Sequence, residues 1–303
     1  MDTPRISASS YSNTAPLIWS FLYGSQHGRV ELILDNAPAR SAELLSQGRV
    51  DAALVPVIAY HELAEARLYP DVCVGASKRA RSVCLVTRNK ELSEVRSVGL
   101  DVSSRTSIVL TKIIFREFLG FEPAWRCSEP DVEMMLEQND AALVIGDPAL
   151  LLHTECRTRN AELRLPKSDL RAEVAGNHND SAFRVRHSAS QENSRSEITK
   201  YDLAELWNRY TGTGFVFAMW MSRHAHLAID FAGARDEGLT HLNEIVSNYE
   251  SQIGLGPDEL RRYLSDNISY SIDEGMERGL ELYFELAGKC GLVERVRPIT
   301  FLE

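Results

Sequence analysis

Two stretches far apart in the chain repeat one pattern. "LLSQGRVDAALVPV" around Asp51 and "MLEQNDAALVIGDP" around Asp140 each run through a helix, a turn, Asp-Ala-Ala-Leu-Val and a proline. A short apolar, β-branched run bounded by turn signals predicts a strand covered on both faces, as in a parallel sheet between helices. Each copy holds the same place in its own series of strand–helix units. The first series reads strand 5–10, helix 16–24, strand 30–35, helix 41–48 and strand 51–57. The second reads strand 97–102, helix 104–121, helix 131–138 and strand 140–147, with Pro148 opening the next helix. This repetition restricts the chain to an α/β fold of two lobes built alike, each a mostly parallel sheet flanked by helices. The length of 303 residues agrees: it is long for one core and comfortable for two lobes of roughly 100–200 residues.

The rest of the chain decides how the lobes connect. A helical turn follows the first repeat, over "IAYHELAEA", and "DVCVGAS" and "RSVCLVT" read as two further strands. Residues 167–199 are polar and almost free of long apolar runs, which predicts an exposed excursion. A helix follows at 200–212, then a strand of bulky residues, "FVFAMWMS", at 215–222, then helices at 237–252, 257–266 and 271–287. If the 215–222 strand rejoins the first lobe, the chain crosses between lobes near 88–96 and near 212–215. Lobe 1 is then 1–91 plus 213–303, with the C-terminal helices, and lobe 2 is 92–212 with the excursion. Two crossings form a hinge, and ligand binds in the cleft between the lobes.

Composition removes several classes of function. Net charge is −10, and no Lys/Arg cluster forms the basic face that a nucleic-acid partner needs. Cys73, Cys84, Cys127, Cys156 and Cys290 are odd in number and widely scattered, which predicts free thiols in a reducing compartment. The start "MDTPRISASSYSN" has no charged and apolar leader pattern. No stretch reaches the roughly 18–20 apolar residues of a membrane span. These features predict a cytoplasmic protein without a membrane partner.

In open α/β sheets the ligand sits beyond the carboxyl ends of the strands, where helix N-termini present free N–H groups and partial positive charge. Three junctions here are of that kind: Asn13-Thr14-Ala15-Pro16, Ser103-Ser104-Arg105-Thr106-Ser107 and Gly146-Asp147-Pro148. Their Ser, Thr and Asn side chains either cap the helix or donate to an anion. Two hydroxyl-rich junctions, one per lobe and facing across a cleft, suit a small ligand with two carboxylates. Ser82, at the start of a strand, either bonds backbone or donates at the cleft mouth. His61 and His153 follow strands and are either general bases or packing residues. His178 and His187 lie in the excursion. His224 and His226 lack the third ligand of a metal site, so none is expected. No Walker loop, G-x-G-x-x-G or G-x-S-x-G is present.

The series "YSNTAPL", "GRVDAALVPVIAY", "RSVCLVT", "LDVSSRTS", "AALVIGDPAL", "YDLAELW" and "TGTGFVFAMW" resembles chorismate dehydratases, which open the futalosine route to menaquinone. The likeness runs over residues 5–225 and is weakest at 155–199 and in the helical tail. It implies a two-lobe fold like the type II periplasmic binding proteins, with a hinge and, here, a helical C-terminal tail. It also implies a hydro-lyase that takes chorismate to 3-[(1-carboxyvinyl)oxy]benzoate and water without a cofactor. By the same resemblance Asn13 is the key cleft residue, with Tyr11 and Thr14 of its motif beside it. Ser82 faces substrate, and Ser104, Arg105, Thr106 and Ser107 form a carboxylate-binding turn. Gly146 and Asp147 end the second-lobe strand. Asn13 is expected to orient or polarise the departing hydroxyl while the enolpyruvyl carboxylate of the substrate takes the ring proton, with Asp147 as the alternative base. Two departures stand out. Ser12 replaces the usual hydrophobic residue before the asparagine, and the 167–199 excursion is long. That excursion either covers the cleft or makes a subunit contact, as in a homodimer.

Two other readings remain. The sister enzyme forming 1,4-dihydroxy-6-naphthoate is expected to carry a catalytic His at the second-lobe strand end, where this chain has Ile145-Gly146-Asp147-Pro148. A non-catalytic small-anion binding protein would share the fold, and the missing leader pattern argues against it.

Overall fold

The structure is a computed structural model and describes residues 3–152 and 198–302. His153, Cys156, His178, His187 and residues 167–197 of the expected excursion lie outside the described residues.

The first series folds as β1 (Arg5–Ser9), α1 (Ala15–Tyr23), β2 (Glu31–Asp35), α2 (Pro38–Ser46) and β3 (Ala52–Pro56). A 3-10 turn at Val57–His61 replaces the longer helical turn expected there. β4 (Arg67–Ala76) completes the chain's first visit to this sheet. The chain then crosses. β5 (Val83–Arg88) lies in a second sheet with β6 (Ser97–Asp101), β7 (Ala124–Ser128) and β8 (Ala141–Ile145). Helices α3 (Thr106–Ile113), α4 (Val132–Gln138) and α5 (Gly146–Leu151) connect them. After β9 (Ile198–Asp202) and α6 (Leu203–Thr211), strand β10 (Phe215–Ser222) returns to the first sheet. Helices α7 (Phe231–Thr240), α8 (Leu242–Ile253), α9 (Pro257–Arg262) and α10 (Glu274–Lys289) form the tail, with a π-helical turn at Tyr263–Asn267.

The two sheets have one plan. The strand orders are β2-β1-β3-β10-β4 and β7-β6-β8-β5-β9. In each, three parallel strands meet an antiparallel strand that arrives from the other half: β10 beside β3, and β5 beside β8. The sheets are therefore mixed rather than mostly parallel. A strand that arrives from the opposite half enters pointing the other way, and the edge strand pairs with it, β4 on β10 and β9 on β5. The repeated Asp-Ala-Ala-Leu-Val segments become β3 and β8, the same position in each sheet. Their aspartates do the same work. Asp51 accepts a hydrogen bond from the Arg5 amide at 2.7 Å, and Asp140 accepts from the Arg96 and Ser97 amides at 2.9 and 3.1 Å. Each carboxylate thus satisfies a donor at the start of the neighbouring parallel strand.

The first crossing runs over residues 77–82, not 88–96, because β5 already pairs with β8 and β9. This differs from the division expected at 91 and 92. The return crossing spans 212–214. Buried Asp202 pins the first crossing to α6, accepting from the amides of Ala80, Arg81 and Glu205 at 3.3, 2.5 and 3.1 Å. Sequence patterning assigned 200–212 to helix throughout, but the chain is extended to Asp202, which caps α6. One apolar cluster runs through both halves, from Ala53 and Val55 of β3 through Leu85 to Leu110 of α3 and Tyr283 of α10. Among the described residues no helix is long and apolar enough to cross a membrane.

Candidate active site

β1 and β6 each end on a turn that feeds a helix, and the two turns face each other across the gap between the sheets. The cavity there encloses about 610 Å³, its mouth included. β1 and the start of α1 supply Ser9, Tyr11, Asn13 and Thr14. The β6–α3 turn supplies Ser104, Thr106 and Ser107. Ser82 comes from the first crossing, Val83 from the start of β5, Ile145 and Gly146 from the junction of β8 and α5, and Phe217 and Ala218 from β10. Of the residues expected at the site, Tyr11, Asn13, Thr14, Ser82, Ser104, Thr106, Ser107 and Gly146 therefore line one cavity.

The hydroxyl groups are not consumed as helix caps. Neither α1 nor α3 has a side-chain cap at its N-terminus. The Thr14 hydroxyl is instead shared with Ser9 at 3.0 Å, and the Thr106 hydroxyl accepts from the Ile58 amide across the gap at 3.5 Å. First-turn N–H groups of α3 thus remain available at a surface that is otherwise hydroxyl, amide and apolar, whereas at α1 the Thr14 and Ala15 amides bond to the Tyr11 and Ser12 carbonyls and Pro16 has none. Among the described residues no Asp, Glu, His, Lys or Arg lines the cavity. Anionic charge placed there meets fixed dipoles from two directions rather than a cationic side chain.

Two expected residues stand elsewhere. Arg105 follows the helical turn outward, and its guanidinium pairs with Glu62 at 2.7 Å and reaches Glu43 at 3.7 Å. It does not line the cavity, whereas its neighbours Ser104, Thr106 and Ser107 do. Asp147 also turns away. Its carboxylate accepts from the Ser12 hydroxyl at 2.5 Å and the Ser12 amide at 3.2 Å. Burial pushes its carboxyl above the ordinary carboxylate range, against the pull of the Ser12 bonds. Ser12, which departs from the hydrophobic residue usual in the resembling family, is thus the partner that spans the gap.

A second contact closes the same mouth. Gly146 has φ +67°, and a Cβ there would lie 2.8 Å from the Tyr11 ring. Burial raises the Tyr11 hydroxyl while Ser103 acts to lower it, which ties Tyr11 of the first half to the turn of the second. Tyr11 also borders an outer pocket with Asp147, Pro148 and Tyr249, so its ring separates the inner cavity from the outside.

None of the described histidines lines the cavity. Burial, with the Arg297 charge, lowers His61 to about 4, and its ring stacks edge-on to Phe284 at 4.2 Å. His224 pairs with Asp51 at 3.2 Å on the surface. No group of three or more His, Cys, Asp or Glu side chains able to hold a metal ion occurs among the described residues.

Sequence reasoning missed the tail. Ile268 lines the cavity, and buried Tyr263, one turn earlier, lies behind Ser82 and Asn13. Tyr283 of α10 donates to the Thr106 carbonyl at 3.0 Å and so steadies the α3 turn. The only hint was the density of tyrosines in "RRYLSDNISYSID", which periodicity alone assigns to a core.

The menaquinone-biosynthesis family matches this chain over residues 4–165 and 149–289. A chorismate dehydratase from Thermus thermophilus is 29% identical over 288 residues, covering 92% of this chain and 93% of that protein. Among solved structures, a protein from Archaeoglobus fulgidus superposes with a TM-score of 0.64 at 14% identity, over 96% of this chain and 98% of the other. The periplasmic aliphatic sulphonate binding protein of Escherichia coli gives 0.56 at 13% identity, over 99% and 93%. A Candida albicans protein with the generic periplasmic binding protein fold gives 0.60 at 10% identity, over 100% and 98%. At these identities the structures speak for the fold, which is that of the periplasmic binding proteins.

Proposed function

This chain belongs to the menaquinone-biosynthesis family, and from that membership we propose that it is a chorismate dehydratase, a hydro-lyase that converts chorismate to 3-[(1-carboxyvinyl)oxy]benzoate and water. The observation that carries the reading is the lining of the cavity: hydroxyl and amide groups from both halves converge there, and among the described residues no ionisable base does. Chorismate brings two carboxylates, for which the α3 start at Thr106 offers backbone donors and Asn13, Ser82, Ser104 and Ser107 offer side-chain donors.

The reaction makes modest demands on the protein. One ring proton and the neighbouring ring hydroxyl depart, the C–H electron pair enters the ring, and the ring becomes aromatic. The enzyme has to hold one conformer and stabilise the charge that develops. In our scheme the enolpyruvyl carboxylate of the substrate accepts the ring proton and passes it to the departing hydroxyl, which Asn13 polarises and which leaves as water. The Asp147 carboxylate is held by Ser12 outside the cavity lining, which favours the substrate carboxylate over Asp147 as acceptor. The cytoplasm is the location we propose for this chemistry.

Incubation with chorismate, followed by ultraviolet absorption and product chromatography, tests the activity. A benzoate product is expected from the native protein. Asn13→Ala should lower kcat by about two to four orders of magnitude with an unchanged melting temperature. Near-normal turnover by Asn13→Ala would remove Asn13 from the chemistry. A stabilised melt without turnover would instead mark a binding protein.

A further inference from the structure

Tyr263 opens the π-helical turn that follows α9, and its side chain is completely buried. Among the described residues its hydroxyl has no partner at full hydrogen-bond geometry. Ser82 and Asn13, two side chains that line the cavity, act on it as loose hydrogen-bond partners, with the Asp147 and Arg81 charges also acting on it, but neither side chain reaches full hydrogen-bond geometry. A buried phenol left unpaired is unfavourable, and native folds keep few of them without a reason. Burial pushes this hydroxyl well above its ordinary value, so it keeps its proton and serves as a donor. The wide π turn is itself a local departure from regular helix that recurs at functional sites. It closes through the Ile268 amide on the Tyr263 carbonyl at 3.3 Å, and Ile268 lines the cavity.

We propose that Tyr263 is a positioning residue for the dehydration, a donor stationed behind Asn13 and Ser82 that completes its hydrogen bond to this pair when ligand draws them into place. The inference rests on the dehydratase reading for its chemistry and on the unpaired hydroxyl for its geometry. With its carbonyl oxygen held by Tyr263, the Asn13 carboxamide presents its N–H groups to the departing hydroxyl. The helical tail then contributes to the reaction through a buried donor that reaches Asn13 and Ser82 from behind.

The test is Tyr263→Phe, which keeps the ring and removes only the hydroxyl. A structural hydroxyl would stabilise the free protein, whereas an unpaired one does not. Tyr263→Phe should therefore melt at the native temperature or above it, with KM within about twofold and kcat lowered about ten- to a hundredfold. Native-like kcat, or a lowered melting temperature with kcat unchanged, overturns the assignment. A second readout does not need turnover. In protein labelled with 13Cζ-tyrosine, the resonance missing from Tyr263→Phe belongs to Tyr263. It should shift when 3-(carboxymethoxy)benzoate, a stable dicarboxylate resembling the product, saturates the site. If the native protein binds this compound but leaves chorismate unchanged, the dehydratase reading fails while the shift still decides for or against Tyr263. A resonance that stays in place refutes the role of Tyr263, and a dicarboxylate that does not bind counts against both readings.

Discussion

Gly146→Ala isolates the contact that closes the cleft. The backbone there has φ +67°, and an added Cβ would stand 2.8 to 2.9 Å from three atoms of the Tyr11 ring. Two penalties follow. Left-handed backbone at a residue with a Cβ costs about 1–2 kcal/mol. Ordinary carbon contacts lie near 3.5–4.0 Å, so the ring must retreat by roughly 0.6–1.2 Å, and overpacking of this kind costs about 1–3 kcal/mol. Only the second penalty is relieved when the halves move apart, since Tyr11 and Gly146 come from opposite sheets. The substitution therefore disfavours the closed form by the overpacking part alone, about 1–3 kcal/mol, or roughly 5- to 150-fold in the closed population. Gly120→Ala is the control: φ there is +75°, and nothing lies within 4 Å of an added Cβ. Both variants should lose similar stability in a thermal melt. Only Gly146→Ala should lose kcat/KM for chorismate, by a factor in that range. Equal activities in the two variants would mean that the Tyr11–Gly146 contact does not govern closure.

Arg105→Ala should change KM by less than about twofold, because the guanidinium is engaged with Glu62 outside the cavity and such surface pairs are worth about 0–1 kcal/mol; a tenfold rise in KM from initial-rate kinetics would return Arg105 to the carboxylate site. Asp147→Asn keeps an acceptor for Ser12 and removes a buried charge. The folded carboxyl titrates above its unfolded value, so the folded state holds its proton in a pH range where the unfolded chain releases one, and native stability falls as pH rises through that range. The melting temperature of Asp147→Asn relative to the native protein should therefore increase from about pH 4 to about pH 7, and a difference that shrinks over that interval contradicts the burial argument.

Much of this molecule was legible along the chain, because the relevant signals are local. Short apolar runs, capping glycines and first-turn prolines identify strands and helices within a few residues. The repeated Asp-Ala-Ala-Leu-Val announced that the halves are alike, and the structure explains the aspartate: it ties each strand to the start of its parallel neighbour. Cavity residues such as Asn13 and Thr106 were readable for a related reason. A strand that ends in a helix start places its turn at the carboxyl edge of the sheet, wherever the rest of the chain goes. β7 escaped notice because it is a half-exposed edge strand with no alternation to read. The point of first crossing was equally hidden, since β5 is apolar enough to sit in either sheet.

What tertiary structure alone decided is direction and long-range company. Arg105 and Asp147 occupy the turns where the sequence places them, yet both side chains leave the cavity, one for Glu62 and the other for Ser12. Tyr263 and Ile268 reach the site from a tail far along the chain, through packing that no local pattern encodes. Backbone periodicity follows from neighbours in sequence and so can be read from it. The choice of partner for a side chain depends on which distant surfaces fold against it, and only the assembled sheets and tail supply those surfaces.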